Sequence, residues 1–304
     1  MLITPIPGVK AEALRSTLVN VRNSLTSKVQ SSGPDGATER ACRYLEWVHE
    51  ARRLLRRQIR PAELEYLLPT QDYEVVLAAI AARAAHRPDP TRNSSASERV
   101  LGGLVAMQLD ERGEAFDAAL SDLQSQIQRF QQQRDAELVV LDTNIYMHHP
   151  QKLEDMDLAG ELHLGNADIH VLVPLVVIDE LDKGKRAGGD RGYRAAYAVS
   201  YIDKIAQGAG RIRPAHLSNA GHPRGKVTVE VVLDPPGHAR LPNNDDEIVA
   251  RAVDIQALAG RPIRLITYDT KMRMRGRDAG LRVDKLAEPE KDEKPSRRRL
   301  READ

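Results

Sequence analysis

The sequence has one cysteine, Cys42, among 304 residues. A single thiol closes no intramolecular disulfide and supplies no cysteine-based zinc site, so its expected role is that of a small buried hydrophobe. Aromatic residues are scarce at 4%, too few for an RNA-recognition sheet or an oligonucleotide-binding barrel that stacks bases on ring faces. No run approaches the roughly 18 uncharged apolar residues of a membrane span. The opening MLITPIPGVKAEALR lacks a basic segment followed by an apolar one, which predicts a cytoplasmic protein with no membrane partner. An excess of one charge is missing too. Forty-five Lys and Arg stand against 44 Asp and Glu, a net of +1, so the chain is no general coat for nucleic acid and must hold any anionic partner locally.

What is present is an ordinary globular composition, 41% hydrophobic and 29% charged, long enough for about two domains. Residues 1–135 read as a helical accessory domain. Leu14, Leu18, Val21 and Leu25 recur at helical spacing in 10–30, and Ser31-Ser32-Gly33-Pro34 ends that helix. Further helices are expected over 38–57 and 72–85. A polar loop over 87–95 leads into a capping box from Ser95 to Glu98. The last helix, about 114–134, carries Phe116, Leu120, Leu123, Ile127 and Phe130 as a short heptad seam, which serves either packing within its own domain or a homodimer.

At residue 137 the texture changes. Apolar, β-branched runs at 137–142, 169–178, 227–233 and 263–268 are each followed by a polar turn and mostly by a helical stretch. Continuous apolar strands alternating with helices predict a three-layer α/β/α domain with a central parallel sheet over 136–287. Residues 288–304 carry six charges of each sign and almost nothing apolar, as a solvated tail does.

Ligands of an open α/β sheet bind beyond the carboxyl ends of its strands, and acids fall there. Asp142 closes the first run, Glu180 follows the second, Asp245 and Asp246 open a helix, and Asp269 closes the last. Each has a purely structural reading as well: Asp142 and Asp269 as helix caps, Asp245 as a first-turn acid, Asn244 with Glu247 as a capping box. Jointly they point to a metal site. Two carboxylates about 4 Å apart repel by about 4 kcal/mol at an effective dielectric near 20, a penalty that a divalent cation removes. Oxygen-only ligands with open positions suit Mg²⁺ or Mn²⁺, which also acidify water and take phosphate oxygens.

Four segments resemble, in order, the motifs of the PIN domain, a family of metal-dependent ribonucleases found in toxin nucleases, in RNA-decay endonucleases and beside PhoH-type ATPases. LDTN from Asp142 is similar to the first motif and VPLVVIDELDK with Glu180 to the second. DDEIVARA with Asp245 is similar to the third and TYDTKMR with Asp269 to the fourth. The resemblance covers roughly 136–287, and VIDELDK is more similar to the PhoH-associated form than to the small toxin form. It implies that Asp142, Glu180, Asp245 and Asp269 are catalytic and hold metal, with Asp246 an adjacent candidate ligand and Asn144 and Thr267 in support. The implied activity is hydrolysis of single-stranded RNA by a metal-activated water.

Basic runs begin beside two of these acids. Lys183, Lys185, Arg186, Arg191 and Arg194 follow Glu180, and Lys271, Arg273 and Arg275 follow Asp269. Such cations either track an RNA backbone or form a solvated surface. Tyr193 and Tyr268 either stack on a base or pack, with buried or half-buried packing expected, and His148 and His149 are expected in an exposed loop rather than at the substrate. The segment 208–226 reads as an exposed loop beside the site. A GxxxxGK[ST] phosphate loop is absent, so no nucleotide cofactor is expected. Rival readings are an RNA-binding or scaffolding module with little catalysis, a DNA structure-specific nuclease, and a dehalogenase-like phosphatase. The last wants an acid two residues after Asp142, where Asn144 stands.

Overall fold

Five helices form the N-terminal half: α1 (Ala11–Leu25), α2 (Ala37–Leu55), α3 (Pro61–Leu67), α4 (Thr70–Ala85) and α5 (Ser94–Gln131). The computed structural model describes residues 3–30, 36–85, 94–207, 211–213, 216–217, 223–235 and 237–286. The spacing of Leu14, Leu18, Val21 and Leu25 puts one apolar stripe on α1, and all four are buried. Beyond Leu25 the helix runs on as a π-helical stretch, Thr26–Gln30. Trp47 on α2 stacks with Tyr44, ring centroids 6.1 Å apart, and meets Phe116 of α5 edge-on at 5.9 Å. Its indole N–H donates to the Val21 carbonyl at 3.1 Å, so the one tryptophan is buried with its polar edge satisfied.

Three expectations change here. Residues 94–131 are one helix where two were read, because Gly102, Gly103 and Gly113 lie within α5 without ending it. An isolated helical glycine costs about 1 kcal/mol, less than the packing of α5 on α1 and α2 supplies. The helix begins at Ser94, so Ser95 lies within it rather than at its cap, and Glu98 accepts the N–H of Ala37, the first residue of α2, at 2.9 Å and pairs with Arg83. Cys42 is half-buried rather than enclosed. Along the heptad seam Phe116, Leu123, Ile127 and Phe130 are buried within the helical unit and Leu120 is half-buried. The loop at 87–95 and the Ser31–Pro34 cluster lie almost entirely outside the described residues, as do the tail from 288 and most of 208–226.

The second half begins with β1 (Ala136–Leu141), α6 (Thr143–His148), α7 (Leu158–Glu161) and β2 (Asp168–Pro174). It continues with α8 (Leu175–Gly184), α9 (Gly189–Ala206), β3 (Arg211–Arg213) and a small pair, β4 (His216–Leu217) and β5 (Pro223–Arg224). It closes with β6 (Val227–Val232), α10 (Asn244–Ala259), β7 (Arg264–Thr267), α11 (Thr270–Asp278) and β8 (Arg282–Lys285). The sheet order is β3-β6-β2-β1-β7-β8. The five strands from β6 to β8 are parallel, with β3 antiparallel at one edge. This is the α/β sheet flanked by helices, behind a helical N-terminal half, that the sequence implies. The chain builds β1, β2 and β6 outward on one side and then returns to β7 and β8 on the other. β1 is therefore the switch point, where such sheets open a crevice at their carboxyl ends.

The run 169–178 is not one strand. β2 stops at Pro174, and Leu175 begins α8. A buried strand and the buried start of a helix are equally apolar, so composition does not mark the border. β8 and α3 carry too few apolar positions to stand out in the sequence.

By compactness the chain divides into a helical unit, residues up to 134 with 235–239 and 253–262, and an α/β unit, 135–234 with 240–252 and from 263 onward. Among the described residues no helix is long and apolar enough to cross a membrane.

Candidate metal centre

The β1–β7 register starts the site. Leu141 pairs with Ile266, so the next residues, Asp142 and Thr267, lie side by side where both strands end. The Asp142 N–H donates to the Ile266 carbonyl at 2.9 Å, which carries the ladder one residue past β1. Asp142 is buried. Its Oδ2 accepts the Thr267 hydroxyl at 2.9 Å and the Asn144 amide at 3.5 Å, so the two residues expected to support the site both contact this acid.

Glu180 arrives from α8 rather than from a strand end. It is the sixth residue of that helix, and helical side chains lean toward the N-terminus, here toward the sheet edge. One carboxylate oxygen accepts the Thr143 hydroxyl, and the other accepts the Asn244 side-chain amide at 2.9 Å. Neither partner was singled out from the sequence as supporting Glu180. The sequence offers Asn244 as half of a capping box, but Asn243 makes the cap: its Oδ1 accepts the N–H groups of Asp245 at 2.8 Å and Asp246 at 3.3 Å. Glu247 turns back to the Leu241 N–H at 2.9 Å. Asn244 is thereby left to hold Glu180.

Asp269 serves its helix as well as the edge. Its Oδ1 accepts the Lys271 N–H at 2.5 Å, and its own N–H donates to the Thr267 hydroxyl at 2.9 Å. Thr267 therefore ties the backbone of one acid to the carboxylate of another. Asp245 and Asp246 face Arg275, whose guanidinium lies 2.9 Å from Asp246 and 3.8 Å from Asp245.

The electrostatics of the acids are coupled. Burial pushes the Asp142 carboxyl up to about 6, opposed by hydrogen bonds from Thr267 and Asn144 and assisted by the charge of Asp245. Burial also raises Asp245, with Glu180, Asp269 and Asp246 adding repulsion and Arg275 offsetting part of it. Among the described residues no three of the four acids have oxygens all within 4.8 Å of one another. Mg²⁺, which keeps several waters, is bound through one or two carboxylates rather than a closed protein cage. Asp142 and Asp245, raised first by burial and then by neighbouring carboxylates, belong to an oxygen-only donor set that a divalent cation fits.

The expected phosphate-binding cations separate. Lys183, Arg186, Arg191 and Lys271 are exposed, and Arg273 is half-buried. Lys185 is exposed but pairs with Asp182 at 2.5 Å. Arg275 is committed to the acids. Arg194 is a structural clamp: its guanidinium donates to the carbonyls of His149 at 2.8 Å, Pro150 at 2.9 Å and Gln151 at 3.3 Å, holding the turn that follows α6. His149 is buried, not in an exposed loop; it bonds Glu161 at 3.0 Å and accepts the Gln151 N–H at 3.1 Å. His148 is exposed and Tyr268 buried.

Residues 139–287 match the family model of the PIN domain. This segment is a PIN domain. PIN domains are generally nucleases and typically use divalent metal, and the described acids fall on the PIN segment's strand ends and the helices that follow them. No curated protein matches the chain in sequence. Among solved structures, a domain of a functionally unknown protein from Methanocaldococcus jannaschii DSM 2661 is similar over 52% of this chain and 96% of its own, at 17% identity and a TM-score of 0.33.

Proposed function

We propose that the PIN domain is a Mg²⁺- or Mn²⁺-dependent endoribonuclease acting on single-stranded RNA. The observation that carries this reading is the placement of Asp142, Glu180, Asp245 and Asp269 at the switch-point edge, where burial and then the charge of neighbouring carboxylates raise Asp142 and Asp245 and a cation is welcome. Asp142, Glu180, Asp245 and Asp269 would hold the ion, with Asp246 beside them. When bound, such an ion supplies an acidified water nucleophile and neutralises charge on the scissile phosphate.

The chain's own residues do the positioning. Thr267 and Asn144 fix the Asp142 carboxylate, and Thr143 and Asn244 fix both oxygens of Glu180, so neither acid needs to reorient when phosphate arrives. Arg275 keeps Asp246 and Asp245 from adding their full repulsion. Lys183, Arg186, Arg191 and Lys271 supply exposed cations for a phosphate backbone without reading bases. No nucleotide cofactor takes part in this reading.

The test is cleavage of end-labelled single-stranded RNA and DNA of one sequence by the full chain in Mg²⁺, Mn²⁺ or EDTA. RNA cleavage that needs metal and disappears in Asp142→Asn, with the circular dichroism spectrum unchanged, is expected. Cleavage surviving in Asp142→Asn would overturn the site. Preferential cutting of DNA would transfer the activity to a DNA nuclease, and metal-independent RNA binding without cleavage would make the domain a scaffold.

A further inference from the structure

Aromatic residues are few, yet three of the eight tyrosines share one face of α9. Tyr193, Tyr197 and Tyr201 are spaced by four, with ring centroids 6.2 Å apart for the first pair and 6.1 Å for the second. The inner two are held: Tyr197 donates its hydroxyl to Glu154, and both are half-buried. Tyr193, at the outer end, is 57% exposed. Lys152 spans the ladder, its ammonium 3.9 Å from the Tyr197 centroid and 5.7 Å from that of Tyr193.

The start of α9 lies against the helix that carries Glu180. A side chain at Gly184, the end of α8, would lie 3.2 Å from the Ala195 methyl of α9, so the first turns of α9 pack on the end of α8 through the Ala195 face, while the tyrosines lie on another face of α9, against Lys152 and Glu154. Glu180 is one turn earlier on α8, about 6 Å along its axis at 1.5 Å per residue. In chain order Lys183, Arg186 and Arg191 lie between Glu180 and Tyr193, all exposed. None of the three has an ion pair among the described residues. Asp182 is neutralised by Lys185, which leaves Asp190 as the opposing exposed acid of that stretch.

We propose that Tyr193 is a base-stacking station for single-stranded RNA running from the acid edge, with Lys152 taking an adjacent phosphate. This rests on the endoribonuclease reading above and adds a binding surface to it. A ring with a free face stacks any base, which suits a strand held without sequence readout, and the neighbouring cations supply the sequence-independent attraction. The fixed inner rings keep the outer one from collapsing onto the helix.

The experiment is fluorescence anisotropy of a labelled single-stranded RNA with the full chain in EDTA, so that binding is read without cleavage, over a range of salt. Tyr193→Ala should weaken binding about tenfold without changing the salt slope, whereas Tyr193→Phe, which keeps the ring, should bind within twofold of the parent. Lys152→Ala should lower the salt slope by about one. A parent chain that binds and cleaves RNA while Tyr193→Ala binds equally well overturns the stacking station alone. A parent that neither binds nor cleaves RNA overturns the endoribonuclease reading, and the station with it. Tighter binding of DNA of the same sequence overturns RNA as the occupant.

Discussion

The Thr267 hydroxyl donates to Asp142 Oδ2 at 2.9 Å and accepts the Asp269 N–H at 2.9 Å. One side chain thus sets the position of two acids. Replacing it with the isosteric Val removes both bonds without leaving a cavity. The Thr267 bond favours the ionised form of Asp142, so Thr267→Val should raise that pKa further and weaken Mn²⁺ binding by roughly ten- to a hundredfold. Thr267→Ser should behave as the parent. Calorimetric titration of Mn²⁺ into the three proteins separates the cases, and equal affinities would show that the hydroxyl has no influence on the site.

The raised Asp142 pKa has a definite sign. Its folded value of about 6 exceeds the ordinary 3.8, so the folded, metal-free chain binds the proton more tightly than the unfolded one. That stabilisation is full below the unfolded value and is lost as pH rises through about 6, a change of about 3 kcal/mol. In EDTA, this group makes the domain more stable at pH 5 than at pH 7.5, and Asp142→Asn should remove that component. Metal competes with the same proton, so stabilisation by Mn²⁺ should be larger at pH 7.5. Urea melts at the two pH values, with and without Mn²⁺, measure it; a pH dependence that persists unchanged in Asp142→Asn would assign it to other groups.

Glu180 is held from both sides, by Thr143 and by Asn244 at 2.9 Å. Asn244→Ala frees one oxygen and should lower metal-dependent turnover about tenfold with little change in RNA binding. The exchange Asn243→Ala removes the α10 cap instead and should cost about 1 kcal/mol of stability. Comparing the cleavage rate with the melting midpoint for both variants tests the assignment: if Asn243→Ala impairs turnover more than Asn244→Ala at equal folding, the two roles are reversed.

What could be read in the sequence follows from how abruptly each signal ends. Asp142 and Asp269 stand out because an apolar parallel strand stops there and a helix starts, so their placement at the sheet edge was legible. Glu180 was legible as an acid after an apolar run, but its helix was not, because Leu175–Ile178 is as apolar as the strand before Pro174. Asn244 and Asn243 carry the same helix-start signal, and only the fold decides which one caps. Arg194 resembles its exposed neighbours in sequence, and its three carbonyl partners come from a turn some 45 residues earlier. The tyrosine ladder was hidden by the low aromatic content, since composition counts rings without saying that three of them share a helix face.

The junction of α8 and α9, where AGGDRGYR runs from the turn into the first residues of α9, owes its shape to two glycines of different kinds. Gly189 has φ of 70° with open space around it, so alanine there meets only backbone strain, about 1–2 kcal/mol. At Gly192 a methyl would lie 1.8 Å from the Ala187 carbonyl oxygen and 3.2 Å from that of Lys185, a collision with backbone that no rotamer relieves. Gly192→Ala should therefore destabilise by about 3 kcal/mol, more than Gly189→Ala, by forcing the turn to open. Because Tyr193 and the clamp residue Arg194 come next, the opened turn should also expose the Leu153 side of α9 and weaken RNA binding beyond the effect of Tyr193→Ala. Urea melts of the two glycine variants rank them directly, and a Gly192→Ala protein as stable as the parent would mean that α9 starts later than residue 192 in solution.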